Sequence, residues 1–271
     1  MKVFKYLFLA MILLTIALLF SSVQQELRSA SYSSPELVLI KGGKFMMGQE
    51  DGEGDERPVH EVELSDFYIG KYEITVGEYR QYCQSNSVYM PAKPEWGWKD
   101  DHPIFNVSWN EADAYIVWIN KTQDENYRLP TEAEFEYVMR KGGQPGLYPW
   151  GAGTPTENIA DESKLATNWS RGIWKGYNDG FPYTSPVGRL PANALGVHDL
   201  NGNVWEWVSD WYGAYPTEAV KDPQGPETGS HKVGRGASYN ADPWHCRTAG
   251  RNWMGPNEKI PAGFRLAKNV R

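Results

Sequence analysis

Between Asp199 and Tyr212 the chain reads DLNGNVWEWVSDWY, and this run limits what the rest can fold into more than any other. Three tryptophans (Trp205, Trp207, Trp211) stand among Asp199, Glu206 and Asp210, just after an Asn201-Gly202-Asn203 turn. A period-2 reading puts Val204, Glu206 and Val208 on one face and Trp205, Trp207 and Ser209 on the other. That is not the alternation of a half-exposed strand. A carboxylate inside such an aromatic run must be solvated, paired or bound to a cation, because burying it alone is costly. Two readings follow. Asp199, the carbonyls of the Gly202 turn and Glu206 are hard oxygen donors of the kind Ca²⁺ takes; alternatively, Glu206 pairs with an arginine and Asp199 caps the turn.

The remaining chain has to surround this element with little regular structure. Its 271 residues are 14% aromatic and carry 27 Gly and 18 Pro, a composition that implies a globular, loop-rich fold with short helices. A net charge of −7 and the lack of a basic cluster exclude a nucleic-acid partner. Three helices declare their starts by capping boxes, at Thr75/Glu78, Ser108/Glu111 and Thr131/Glu134. The first is predicted over about Val76 to Ser85, and the second has Ala112, Tyr115, Ile116 and Ile119 on one face. The third carries Ala133, Phe135, Tyr137, Val138 and Met139 and stops before Gly142-Gly143. Strands are predicted in ELVLIKGGKFMMG, on either side of Gly42-Gly43, and in HEVELSDFYIGKYEIT, around a Ser65-Asp66 corner. The acidic stretch GQEDGEGDERP between them reads as a solvated surface loop. After Gly143 helical periodicity ends. The architecture expected is an irregular, loop-rich α+β single domain over residues 35–271.

Residues 1–34 stand apart. Lys2 and Lys5 precede an uncharged run, YLFLAMILLTIALLF, which has the length of a signal-peptide core, with an uncleaved membrane anchor as the alternative. Either reading exports the domain to the periplasm, the cell surface or the medium. Cys83 and Cys246, the two cysteines, then leave room for one disulfide. No G-x-S-x-G elbow, H-E-x-x-H pair or phosphate-cradling glycine loop is present.

The segments GKYEITVGEYRQYC, NVSWNEADAYIVWIN, YRLPTEAEFEYVMRKG, LNGNVWEWVSDWY, RGASYNADPWHCRTAGRNW and GFRLA, in this order, resemble the formylglycine-generating enzyme (sulfatase-modifying factor) family from about Glu36 to Leu266. The resemblance implies a domain related to the C-type lectin fold, with structural calcium at two places. One would use Asn158, Ile159, Asp179 and Phe181; the other would use Asp199, Asn201, Gly202, Val204 and Glu206, partly through backbone carbonyls. Family members that are enzymes oxidise a sulfatase cysteine with O₂, holding Cu(I) between two cysteines five residues apart, a pairing that suits soft sulfur. Here the second of these matches Cys246, but the first position is Ala241, which puts a copper centre in doubt.

Two functions remain in view. In the first, Cys246, Ser238 and Tyr239 form a catalytic pocket for a protein cysteine, a peptide or a small substrate. In the second, a non-catalytic domain presents Trp244, Arg247, Arg251, Asn252 and Trp253 to a protein or glycan. Arg247 and Arg251 have an equally ordinary alternative, pairing with buried carboxylates, and Cys246 can be read as a small buried hydrophobe.

Overall fold

The computed structural model describes residues 34–167 and 172–270. Residues 1–33, which carry the leader expectation, lie outside the described residues, and no helix among those described is long and apolar enough to cross a membrane.

The strand segments form as expected but pair at a distance. β1 (Leu37–Ile40) and β2 (Gly43–Met47) are followed by β3 (His60–Leu64) and β4 (Phe67–Gly70). β1 pairs antiparallel with β4, and β2 with β3, so the Gly42 turn sends neighbouring strands into different sheets. A Cβ on Gly42 would lie 2.0 Å from the Leu64 carbonyl oxygen, which is why the chain needs glycine there.

The helices are α1 (Val76–Asn86), α2 (Trp109–Gln123) and α3 (Glu132–Met139). All three capping boxes form, each with its reciprocal pair of bonds. The apolar face of α2 is buried as its spacing predicted. Every residue of α3 is buried, including Glu132, Glu134 and Glu136, so this helix runs through the interior and each carboxylate needs a cation. Arg128 holds Glu134 at 2.6 Å, Arg251 holds Glu132 at 2.7 Å, and Arg140 and Arg235 hold Glu136 at 2.8 and 2.6 Å. Burial opposes ionisation of Glu136, but Arg140 and Arg235 together keep its carboxyl below the ordinary value.

In the C-terminal half, β5 (Trp205–Trp211) is the central element of a sheet ordered β8 (Asn252–Met254), β7 (Lys232–Arg235), β5 and β9 (Ala262–Gly263). β6 (Val220–Lys221) joins β3, and β10 (Ala267–Asn269) joins β4. Trp205 to Val208 are all buried, so β5 is covered on both faces. Two apolar clusters result. One gathers α1 and α2 with Trp205, Trp207 and Cys246; the other gathers β2, β3, β4 and α3 with Val208 and Val233. The fold is the loop-rich α+β single domain that the sequence implied. The disulfide is not formed: Cys83 and Cys246 are both free and buried.

Candidate functional site

The segments singled out by sequence meet around the turn that precedes β5. Gly202 sits at φ +128°, and a Cβ there would lie 2.2 Å from the Asn158 carbonyl oxygen, so the two expected calcium segments are in direct contact. Asn203 donates its backbone N–H to Asn158 O at 2.7 Å, Gly202 donates to Gly236 O at 2.6 Å, and Tyr239 donates to Asn203 O at 2.9 Å. Ala160 donates to Ala241 O at 3.2 Å, which brings in the Ser238 to Cys246 segment.

At the first expected metal set, Asn158 donates its side-chain amide to Tyr183 O at 2.9 Å, and its Oδ1 is buried without a partner. Asp179 accepts the Phe181 N–H on Oδ1 at 2.6 Å, and its Oδ2 is likewise buried and unpartnered. Burial, reinforced by the nearby Asp161, pushes the Asp179 carboxyl up to about 7. Ile159 is fully buried. Buried oxygens without donors are uncommon and call for an explanation. A hard cation supplies one, so this set fits calcium.

The second set is divided. Asp199 accepts the Gly188 N–H on Oδ2 at 2.6 Å and leaves Oδ1 buried and unpartnered, as is Asn201 Oδ1. Val204 is buried behind the turn. Glu206 takes the other course that its sequence setting left open: both oxygens bind Arg265, at 2.7 and 2.6 Å. Arg265 is fully buried and also donates to Gly70 O, His198 O and Asp199 O. Glu73 and Glu157, absent from the expected set although they fall within YEIT and ENIAD, complete an acidic interior. Glu73 is buried, accepts the Asn203 side-chain amide on Oε2 at 2.8 Å and has no partner for Oε1. Burial, with the charges of Asp199 and Glu206, raises its carboxyl well above the ordinary range, and burial with Asp199 does the same to Glu157.

The expected catalytic residues are close together and sealed. Cys246 has no exposed surface, and its Sγ donates to Asp242 O at 3.3 Å. Burial, then the Asp242 and Glu157 charges, pushes its thiol far up, which disfavours the thiolate. Ala241 packs in the same apolar cluster. Ser238 is buried and bonds Asn240 at 2.7 Å. Tyr239 lies under the Lys164 ammonium, 4.1 Å from its ring centroid. Burial lowers Lys164 to about 8 and raises the Tyr239 phenol to about 12. His198 bonds Leu190 O, His231 bonds Ser230 and His245 bonds Asp242. Among the described residues no three His, Cys, Asp or Glu side chains are grouped to hold a metal.

Of the expected binding residues, Trp244 and Trp253 are exposed, at 46% and 49%. Arg247 and Arg251 pair inward, with Glu56 and Glu132. The acidic loop is therefore not simply solvated: Glu56 is wholly buried on Arg247, and Asp55 O accepts Arg251 Nη1 at 2.8 Å. Anchored this way, the loop lies between the tryptophans. Glu53 accepts Trp244 Nε1 at 2.5 Å, Asp55 accepts the Tyr212 hydroxyl at 2.9 Å, and Tyr212 packs 5.7 Å from Trp253. Asn252 Oδ1 accepts the Trp253 backbone N–H at 2.9 Å. The outcome is a strip of aromatic rings and carboxylates on a rigid backing.

A fold organised about the β5 turn, with this ordered set of segments, defines the class. The chain belongs to the sulfatase-modifying factor enzyme 1-like domain family, whose model matches residues 23–270. It is 30% identical to the formylglycine-generating enzyme of Bos taurus, over 86% of this chain and 74% of that one. To the inactive C-alpha-formylglycine-generating enzyme 2 of Bos taurus it is 29% identical, over 74% and 79%. Among solved structures, PvdO of Pseudomonas aeruginosa superposes with a TM-score of 0.72 at 29% identity, over 87% of this chain and 95% of that one.

Proposed function

We propose that this protein is an exported, non-catalytic member of the family, using the scaffold to present a recognition strip to a protein or glycan. The carrying observation is the setting of Cys246: wholly buried, capped by a backbone carbonyl and next to Ala241 in an apolar cluster. A copper centre of the family's two-cysteine kind needs two thiolates that the metal can reach, and these residues do not fit one. Relatives of the chain include both a generating enzyme, 30% identical over 86% of this chain, and one named as inactive, 29% identical over 74%, so family membership by itself does not assign catalysis.

The strip of Trp244, Glu53, Asp55, Tyr212 and Trp253 supplies rigid amphipathic rings beside carboxylates, the composition of a recognition surface. Calcium belongs to this reading as a structural ion. Bound at Asn158 and Asp179, with backbone carbonyls of Ile159 and Phe181, it would supply positive charge and no chemistry to an interior rich in carboxylates. The leader then delivers the domain outside the cytosol, cleaved or as an anchor.

The test is conversion of a peptide containing Cys-x-Pro-x-Arg, supplied with Cu(I) and O₂, and followed by the mass change from cysteine to formylglycine. The expected result is no conversion by the parent. Turnover by the parent would overturn the reading.

A further inference from the structure

A cavity of about 510 Å³ opens beneath the loop 213–226, bounded by β3, the start of α3, the end of β5, and β6. This is within the size range of small-molecule sites. Its walls are largely apolar, with Met47, Ala133, Trp211, Val220, Pro216 and Pro226 among them. The polar groups at its floor are His60, Glu132, Asp210 and Arg251, with Lys221 on the β6 side. None of them is used in the reading of Cys246 above.

What this floor can bind follows from which donors and acceptors are already committed. Arg251 gives Nε and Nη2 to Glu132 at 2.7 and 2.9 Å, and Nη1 to Asp55 O and Gly213 O at 2.8 and 3.1 Å. Its guanidinium is also stacked 4.2 Å from the Tyr215 ring centroid. Tyr215 donates its hydroxyl to Glu132 Oε1 at 3.1 Å. Lys221 is paired with Glu63 at 3.1 Å. The cationic and hydroxyl donors around the cavity are thus largely spent, and an anionic ligand would find little to hold it.

The acceptors are in the opposite state. Asp210 is 4% exposed; its Oδ2 accepts the Glu132 N–H and the Ser209 hydroxyl, both at 2.9 Å. Its Oδ1 has no hydrogen-bond partner among the described residues, while the side chain lines the cavity. His60 bonds Pro58 O through Nδ1 at 3.1 Å; with the proton on Nδ1, Nε2 is left as an acceptor. Burial and the Glu132 charge push the Asp210 carboxyl up to about 7, although the Lys232 ammonium, which donates to Ser209 O, lies within range of its charge.

We propose that this cavity is a ligand site for a small molecule carrying a protonated amine on an apolar body, the amine donating to Asp210 Oδ1 and His60 Nε2 and the body filling the walls of Met47, Trp211 and Val220. Binding is non-covalent, and the site is independent of whether Cys246 takes part in any chemistry.

The experiment is isothermal titration of the purified protein with 2-phenylethylamine, and separately with neutral 2-phenylethanol and anionic 3-phenylpropionate. The expected result is 1:1 binding of the amine in the millimolar range, at least tenfold tighter than either analogue. Asp210→Asn should weaken the amine at least tenfold. Val220→Phe, which fills the cavity from β6 and leaves Asp210 in place, should weaken it similarly and decides the matter should the first variant not fold. Absence of amine binding by the parent, equal binding of 3-phenylpropionate, or unchanged affinity in a folded Asp210→Asn or Val220→Phe protein would overturn the proposal.

Discussion

Replacing Arg265 with methionine removes the guanidinium that binds Glu206. Arg265 binds both Glu206 oxygens and three backbone carbonyls, those of Gly70, His198 and Asp199, so it ties the end of β4 and the turn before β5 to the last strand segment. The variant leaves a fully buried carboxylate beside two further buried acids, Glu73 and Asp199. Removing one member of a buried pair costs about 3–5 kcal/mol, because the remaining charge is stranded in a poor solvent. A total stability of about 5–15 kcal/mol makes that a large fraction. Urea unfolding followed by tryptophan fluorescence measures it, and we expect a much lower midpoint at an unchanged slope. Glu206→Leu combined with Arg265→Met should recover the part of the loss that comes from the stranded Glu206, but not the part from Glu73 and Asp199, whose carboxylates Arg265 also stabilises. A single-variant loss below about 1 kcal/mol, a value typical of exposed pairs, would refute the argument that this pair neutralises the interior.

Other expectations follow from the same interior. Gly202→Ala forces a side chain into a positive-φ position and against Asn158 O, so it should cost about 2–3 kcal/mol in urea unfolding. Calcium should raise the thermal midpoint of the parent and EDTA should lower it, whereas Asp179→Ala, which deletes the unpartnered Oδ2, should abolish the calcium response measured by calorimetry. The Asp210 carboxyl is raised to about 7 in the folded protein, so between about pH 4 and 7 the folded state holds a proton that the unfolded chain has lost. Stability should therefore fall as pH rises through that window, by on the order of 4 kcal/mol from this group, and Asp210→Asn should flatten that part of the curve.

The helices were legible because a capping box is local. Thr131 and Glu134 need only each other and the first-turn amides, and three residues of sequence display the whole device. The β5 run was legible as a centre for the opposite reason: its tryptophans and carboxylates are too costly to place without partners, though the partners themselves could not be seen. Glu206 and Arg265 are 59 residues apart, and Arg247 and Glu56 are 191 apart, so no window of sequence contains either pair. That distance is also why GQEDGEGDERP read as a solvated loop, when Glu56 anchors it to the core. Glu73 lies inside the segment GKYEITVGEYRQYC and Glu157 stands next to the expected ligand Asn158, but nothing local marks either acid as buried.

Cys246 is sealed in the core behind the Asp242 carbonyl, and its reactivity under native conditions is the measurement that decides its role. Iodoacetamide labelling of the folded protein, read by peptide mass spectrometry, should leave Cys246 unmodified for as long as the protein stays folded and should label it fully in denaturant. Labelling of Cys246 in the native protein at the rate of an accessible thiol would contradict the account and return the cysteine to the list of possible metal ligands or nucleophiles.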